Sequence, residues 1–124
     1  MLNDTNAVAT IAVKNLETAR KFYRDTLGLK EARLEDNEVI VFTSGQSLIN
    51  VYRSQFASTN KATVLTWAVE DVEAEVRALK AKGVTFEHYD MPGLTLKGDI
   101  HVAGPMKVAW FKDPDGNILN IINQ

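Results

Sequence analysis

The sequence predicts an α+β fold of two tandem β-α-β-β-β modules. An alternating apolar run followed by a capped amphipathic helix occurs twice, and each helix is followed by paired apolar runs that meet at a turn signal. Alternation marks half-buried strands, the i, i+3, i+4 recurrence marks helices, and the repetition makes one module the unit of the fold.

In the first module, Val8 to Val13 places Ala9, Ile11 and Val13 on one face and Val8, Thr10 and Ala12 on the other. Asn15 then offers an N-cap, and Leu16, Ala19, Tyr23 and Leu27 recur at helical spacing until Gly28 supplies a stop. The second module repeats this with a strand from Val64 to Val69, an N-cap at Asp71, an apolar stripe of Val72, Val76 and Leu79, and a stop at Gly83. Glu17 with Lys21, and Glu73 with Arg77, are expected to pair along solvated helix faces at i, i+4. "VIVFTSGQSLINVYR" and "KVAWFKDPDGNILNII" supply the closing hairpins, turning at Ser44-Gly45-Gln46 and Asp113-Pro114-Asp115-Gly116. One domain over 1–124 is expected, with module one at 7–54, a polar linker at 55–62 and module two at 63–124. The segment His88 to Met106 has no periodic pattern, and either wraps an edge or covers a site.

With 124 residues, a net charge of -2 and scattered Lys and Arg, the chain shows no electrostatic footprint for nucleic acid or an anionic membrane. It has no long apolar run and no basic-then-apolar leader, so neither a membrane span nor a signal peptide is expected and a cytoplasmic location is the default. The absence of cysteine removes disulfides and thiolate chemistry, leaving His, carboxylate or amide side chains for any metal. "DPDGN" lacks the further ligands and terminal Glu of a calcium loop, and a hairpin turn accounts for it.

The tandem repeat, with "FYRDTLGL" closing the first helix and "FKDPDGNILNI" forming the last hairpin, resembles the vicinal oxygen chelate superfamily over about residues 7 to 122. That group includes glyoxalase I, extradiol dioxygenases, fosfomycin-modifying enzymes and bleomycin-resistance binding proteins. The resemblance implies curved mixed sheets enclosing a cleft, a homodimer and, in metal-dependent members, four His, Glu or Gln ligands. Those ligands start each module's first strand and sit midway along its last. The matching positions here are Val8, Val64, Asn50 and Asn120. Valine cannot ligate a metal and a neutral amide is a weak donor, so no metal and no cofactor are expected.

The resemblance then implies a bleomycin-resistance-type protein that binds a small, partly apolar organic ligand. The ligand-binding candidates are Thr10, Asn50, Tyr52, Thr66, Trp110, Asn120 and His101, with Leu48, Ala12, Ala68, Ile118 and Ile122 completing the lining. Each has a plainer alternative. The two amides either face a ligand or satisfy one another and nearby backbone. Trp110, like Phe42, is either a stacking platform or core, whereas Trp67 is expected to point toward the helix. His88 and His101 either act as acid, base or ligand, or pack in the long segment, where Tyr89, Met91 and His101 would become lid contacts if it folds over the cleft. Arg53 either meets an anionic ligand or caps an edge. The competing reading is a glyoxalase-I-like lyase or dioxygenase with a metal held by residues such as His88 or His101. A third is an interaction domain whose cleft is filled by its own side chains.

Overall fold

The computed structural model describes residues 1–124, which form two compact units, Met1–Thr59 and Asn60–Gln124. No helix is long and apolar enough to cross a membrane.

In the first unit, β1 (Ala9–Val13) leads into α1 (Leu16–Arg20), and β2 (Lys30–Glu35), β3 (Val39–Ser44) and β4 (Ser47–Arg53) complete a sheet of order β1-β4-β3-β2. β1 lies parallel to β4, and the other neighbours are antiparallel. Asn15 caps α1 as expected, its side chain accepting from the Thr18 N–H at 3.0 Å. After Arg20 the helix widens into a π-helical turn, Lys21–Thr26, in which the Leu27 N–H returns to Phe22 O. The apolar spacing alone predicts an uninterrupted α-helix, but the wider turn lets two consecutive aromatics pack. Phe22 meets Tyr23 edge to face at 5.2 Å, and the fully buried Tyr23 meets Phe42 at 5.9 Å. Tyr23, Phe42, Ile11, Ile40, Ile49 and Val51 form the core between helix and sheet, and burial of each such side chain contributes about 1.5–3 kcal/mol.

The second unit follows the same plan, with β5 (Thr63–Val69), α2 (Val72–Ala81), β9 (Met106–Lys112) and β10 (Ile118–Asn123). Asp71 caps α2 by accepting from the Ala74 N–H at 3.0 Å. The helix ends at Gly83, held at φ +94, with the Val84 N–H reaching Leu79 O and the Gly83 N–H reaching Lys80 O. Again the first strand lies parallel to the last, and the registers coincide: Thr10 opposes Asn50 and Ala12 opposes Tyr52, as Thr66 opposes Asn120 and Ala68 opposes Ile122. The units differ in the third module element. Where a single strand is expected, the chain forms β6 (Phe86–Glu87), β7 (Thr95–Lys97) and β8 (Ile100–Ala103). β7 and β8 make a hairpin that extends the sheet beyond β9, so His88 to Met106 wraps an edge and its second half carries two short strands.

Two expected charge pairs are replaced. Glu17 bonds Arg20 one turn on instead of Lys21, and Arg20 also holds Glu31 of β2 at 2.8 Å. Glu73 bonds Lys107 of β9 instead of Arg77, tying the first turn of α2 to the sheet. The "DPDGN" turn is held from within. Asp113 Oδ1 accepts from the backbone N–H groups of Asp115 and Asn117, each at 2.9 Å, and Oδ2 accepts from Asn117 Nδ2 at 2.8 Å. Asp113 and Asn117 are both buried, so this carboxylate is committed to the turn.

Candidate functional site

Each sheet packs one face on its helix and leaves the other helix-free, and strand alternation decides which residues occupy the second. In the first unit the helix-free face carries Thr10, Ala12, Asn50 and Tyr52, with Val41 opposite Asn50 on β3. Thr10 is exposed and donates weakly to Val8 O at 3.4 Å, while Asn50 and Tyr52 are half-buried. Val8 itself is 39 % exposed. Arg53 is held by Glu38, with Nε to Oε2 at 2.9 Å, and so ties the end of the interior strand β4 to the turn between β2 and β3 instead of capping an edge. A hollow of about 440 Å³ beside α1 is lined by Asn15, Arg20, Glu38 and Arg53 among others, and both of these arginines are ion-paired, Arg20 with Glu17 and Glu31 and Arg53 with Glu38.

The helix-free face of the second unit carries Thr66, Ala68, Ile118, Asn120, Ile122, Val108, Trp110 and His101. Trp110 occupies the position of Val41 in the repeat, since each is the direct neighbour of its module's central asparagine. The larger side chain changes the site. The Trp110 indole N–H donates to Thr63 Oγ1 at 3.2 Å, and because β10 lies between β9 and β5 the ring must cross over β10 to reach it. Asn120 lies on β10 beside this crossing and is only 9 % exposed. Phe42 and Trp110 therefore part company: Phe42 is core against the helix, whereas Trp110 lies on the open face. Trp67 faces the helix side as expected, stacked on Phe111 at 6.4 Å.

Around Trp110 stand two further rings. His101, fully buried on β8, meets it edge to face at 4.9 Å, and Tyr89 does the same at 5.4 Å. The Tyr89 backbone N–H donates to His101 Nε2 at 2.9 Å. Three buried polar atoms in this cluster have no hydrogen-bond partner: Asn120 Oδ1, Tyr89 Oη and His101 Nδ1. Each such atom costs about 1–3 kcal/mol of desolvation. Burial pushes the Tyr89 phenol above its ordinary range, so it stays a neutral hydroxyl that can donate or accept. Next to the cluster opens a pocket of about 390 Å³, floored by Trp110 and Ile118 and walled by Thr63, Tyr89 and Met91.

The donor set does not suit a metal. Val8 and Val64 have no lone pair, the two asparagines are neutral, and no group of three or more His, Cys, Asp or Glu side chains is gathered to hold an ion. His88, the other histidine considered, is exposed and bonded through Nε2 to Asp99 at 2.8 Å, and Asp99 also binds Lys80 at 2.7 Å.

A family model described as the glyoxalase/bleomycin resistance protein/dioxygenase superfamily matches residues 6–121. The chain belongs to that superfamily. Solved structures agree on the fold of this superfamily member. A glyoxalase family protein from Enterococcus faecalis is 21 % identical, covers 98 % of this chain and 99 % of its own, and superposes with a TM-score of 0.74. A glyoxalase/bleomycin resistance protein/dioxygenase from Alicyclobacillus acidocaldarius is 18 % identical, with coverage of 99 % and 94 % and a TM-score of 0.73. A lactoylglutathione lyase from Agrobacterium tumefaciens is 16 % identical, with coverage of 97 % and 93 % and a TM-score of 0.71. At these identities the likeness is one of fold.

Of the residues singled out from the superfamily pattern and strand alternation, the register brings Thr10 beside Asn50 and Thr66 beside Asn120, and packing adds Trp110 and His101 to the latter pair. Tyr52 stays in the first unit, two residues from Asn50 on the same face. Val41 is missed by reading the chain, whereas Tyr89, considered as a lid contact, lies against Trp110 and His101. The signals that place His101 on a strand are the Gly98-Asp99 and Gly104-Pro105 dipeptides, which are two-residue hairpin turns flanking β8.

Proposed function

We propose that this superfamily member binds a small, partly apolar organic molecule, in the manner of its bleomycin-resistance-type relatives, and does so without a metal. The observation that carries this reading is the identity of Val8, Asn50, Val64 and Asn120, which removes ligating side chains from all four family positions, with Asn120 Oδ1 buried and unpartnered in one of them. Thr10 with Asn50 in the first unit, and Thr66 with Asn120 in the second, supply hydroxyl and amide groups that orient a ligand. Tyr52, Trp110 and the apolar residues of the same faces supply its contact area. Burial of ligand surface there contributes roughly 25 cal/mol per Å², the usual source of affinity in such pockets. A homodimer is proposed from the family resemblance, and a cytoplasmic location as the default for a sequence with no recognised leader or membrane span.

Metal analysis of protein purified without a chelating resin tests the first half of this reading. Substoichiometric zinc, nickel, manganese and iron are expected, and one equivalent of any of them overturns the metal-free claim. A thermal-shift screen of aromatic and antibiotic-like compounds tests the second half, with at least one stabilising compound expected.

A further inference from the structure

The pocket of the second unit carries charge as well as aromatic surface, with one cation, Lys61, and one anion, Asp90, in its lining. Lys61 lies two residues before Thr63 on β5, and Asp90 lies three residues after Glu87 on β6. Neither side chain has an ion-pair partner, whereas Arg20 and Arg53 beside the first unit's hollow are both paired. The same lining includes the Trp110 indole, Ile118 and Met91, which supply apolar surface. Next to that surface is Asn120 Oδ1, an acceptor with no donor, under an indole held by one hydrogen bond to Thr63.

We propose that this pocket takes a dipolar ligand of dipeptide-like chemistry: an ammonium toward Asp90, a carboxylate toward Lys61, an aromatic or aliphatic body on Trp110, and an N–H for Asn120. The inference rests on the small-molecule reading above and adds the chemical class. Single-charge ligands leave one of the two charges unmatched. An amide N–H in the middle of the ligand supplies the donor that Asn120 Oδ1 lacks, and the indole yields its bond to Thr63 to admit it.

The test uses Trp67→Phe protein, in which Trp110 is the single tryptophan, and follows its fluorescence during titration with the dipeptide Gly-Phe, its N-acetyl form and its C-terminal amide. The free dipeptide is expected to move Trp110 emission at concentrations about tenfold lower than either blocked form. Lys61→Gln is expected to erase its advantage over the amide, and Asp90→Asn its advantage over the N-acetyl form. Equal titration by all three, or no response at millimolar concentration, overturns the proposal. A neutral aromatic compound that moves Trp110 when none of the three does so overturns the dipolar class while leaving small-molecule binding standing. If Trp67→Phe fails to fold, the same titration is read on the wild-type protein from the Trp110 indole N–H resonance, assigned by its loss in Trp110→Phe.

Discussion

Trp110 on β9 donates its indole N–H to Thr63 on β5, 3.2 Å away, by reaching across the intervening strand β10. One hydrogen bond thus fixes a large ring on the open face of a sheet, beside the buried and unpartnered Asn120 Oδ1. Thr63→Val keeps the shape of residue 63 and removes the acceptor. In the Trp67→Phe background this change is expected to red-shift Trp110 emission, as the freed ring samples water, and to cost about 0.5–1.5 kcal/mol in urea unfolding. Unchanged emission would mean that packing against Tyr89 and His101 holds the ring without the bond.

Asn120→Leu separates a functional amide from a structural one. Leucine fills a similar volume without an orphaned carbonyl, so the variant is expected to gain on the order of 1 kcal/mol, a rise of a few degrees in Tm. It should lose the response to any ligand found in the thermal-shift screen. Global unfolding of the variant would assign the amide to structure instead.

The Asp113 carboxylate organises its hairpin without help from an ion. Asp113→Ala strips acceptors from three donors in a buried turn, and a loss of about 2–4 kcal/mol is expected on chemical denaturation. Because the donors are all protein N–H groups, addition of a calcium chelator is expected to leave the Tm of the wild-type protein where it was.

Asp99, at the turn of the β7–β8 hairpin, is held below the ordinary carboxylate range chiefly by its hydrogen bond to Lys80 and secondarily by that to His88. A carboxyl with a depressed folded-state pKa stabilises the fold above its unfolded value, and that stability is lost as pH falls through the folded value. The hairpin is therefore expected to keep its anchor to α2 at neutral pH and down to the unfolded carboxylate value near 3.8, and to lose it progressively below. The partners are largely exposed, so the effect stays within about 1 kcal/mol. Proton-detected titration of the Asp99 side chain checks the direction, and Asp99→Asn is expected to flatten the acid limb of the stability profile.

Much of the fold was legible in the chain because its determinants are local or periodic. Asn15 and Asp71 are caps by their chemistry and by the apolar stripes that follow them, and both bond the N–H three residues on. Period-two alternation carried Thr10, Asn50, Thr66 and Asn120 to helix-free faces, and the internal repeat set the two registers in parallel. The same rules failed where the partner of a residue lies far away in sequence. Glu73 has Arg77 four residues on, yet bonds Lys107, because β9 brings a cation to the start of α2 and nothing in the helix pattern encodes β9's position. Phe42 and Trp110 occupy similar strands in similar apolar runs, and only the pleat of each sheet sends one to the core and the other to the open face.

The sequence by itself therefore determined the repeat, the helix ends, the side of the sheet on which Thr10, Asn50, Thr66 and Asn120 sit, and the loss of ligating side chains at four family positions. Tertiary structure alone decided that Asn120 is buried while its repeat partner Asn50 is only half-buried. The physical reason is the cross-strand neighbour: a valine at residue 41 leaves Asn50 open, and an indole at residue 110, tied to Thr63 two strands away, closes over Asn120.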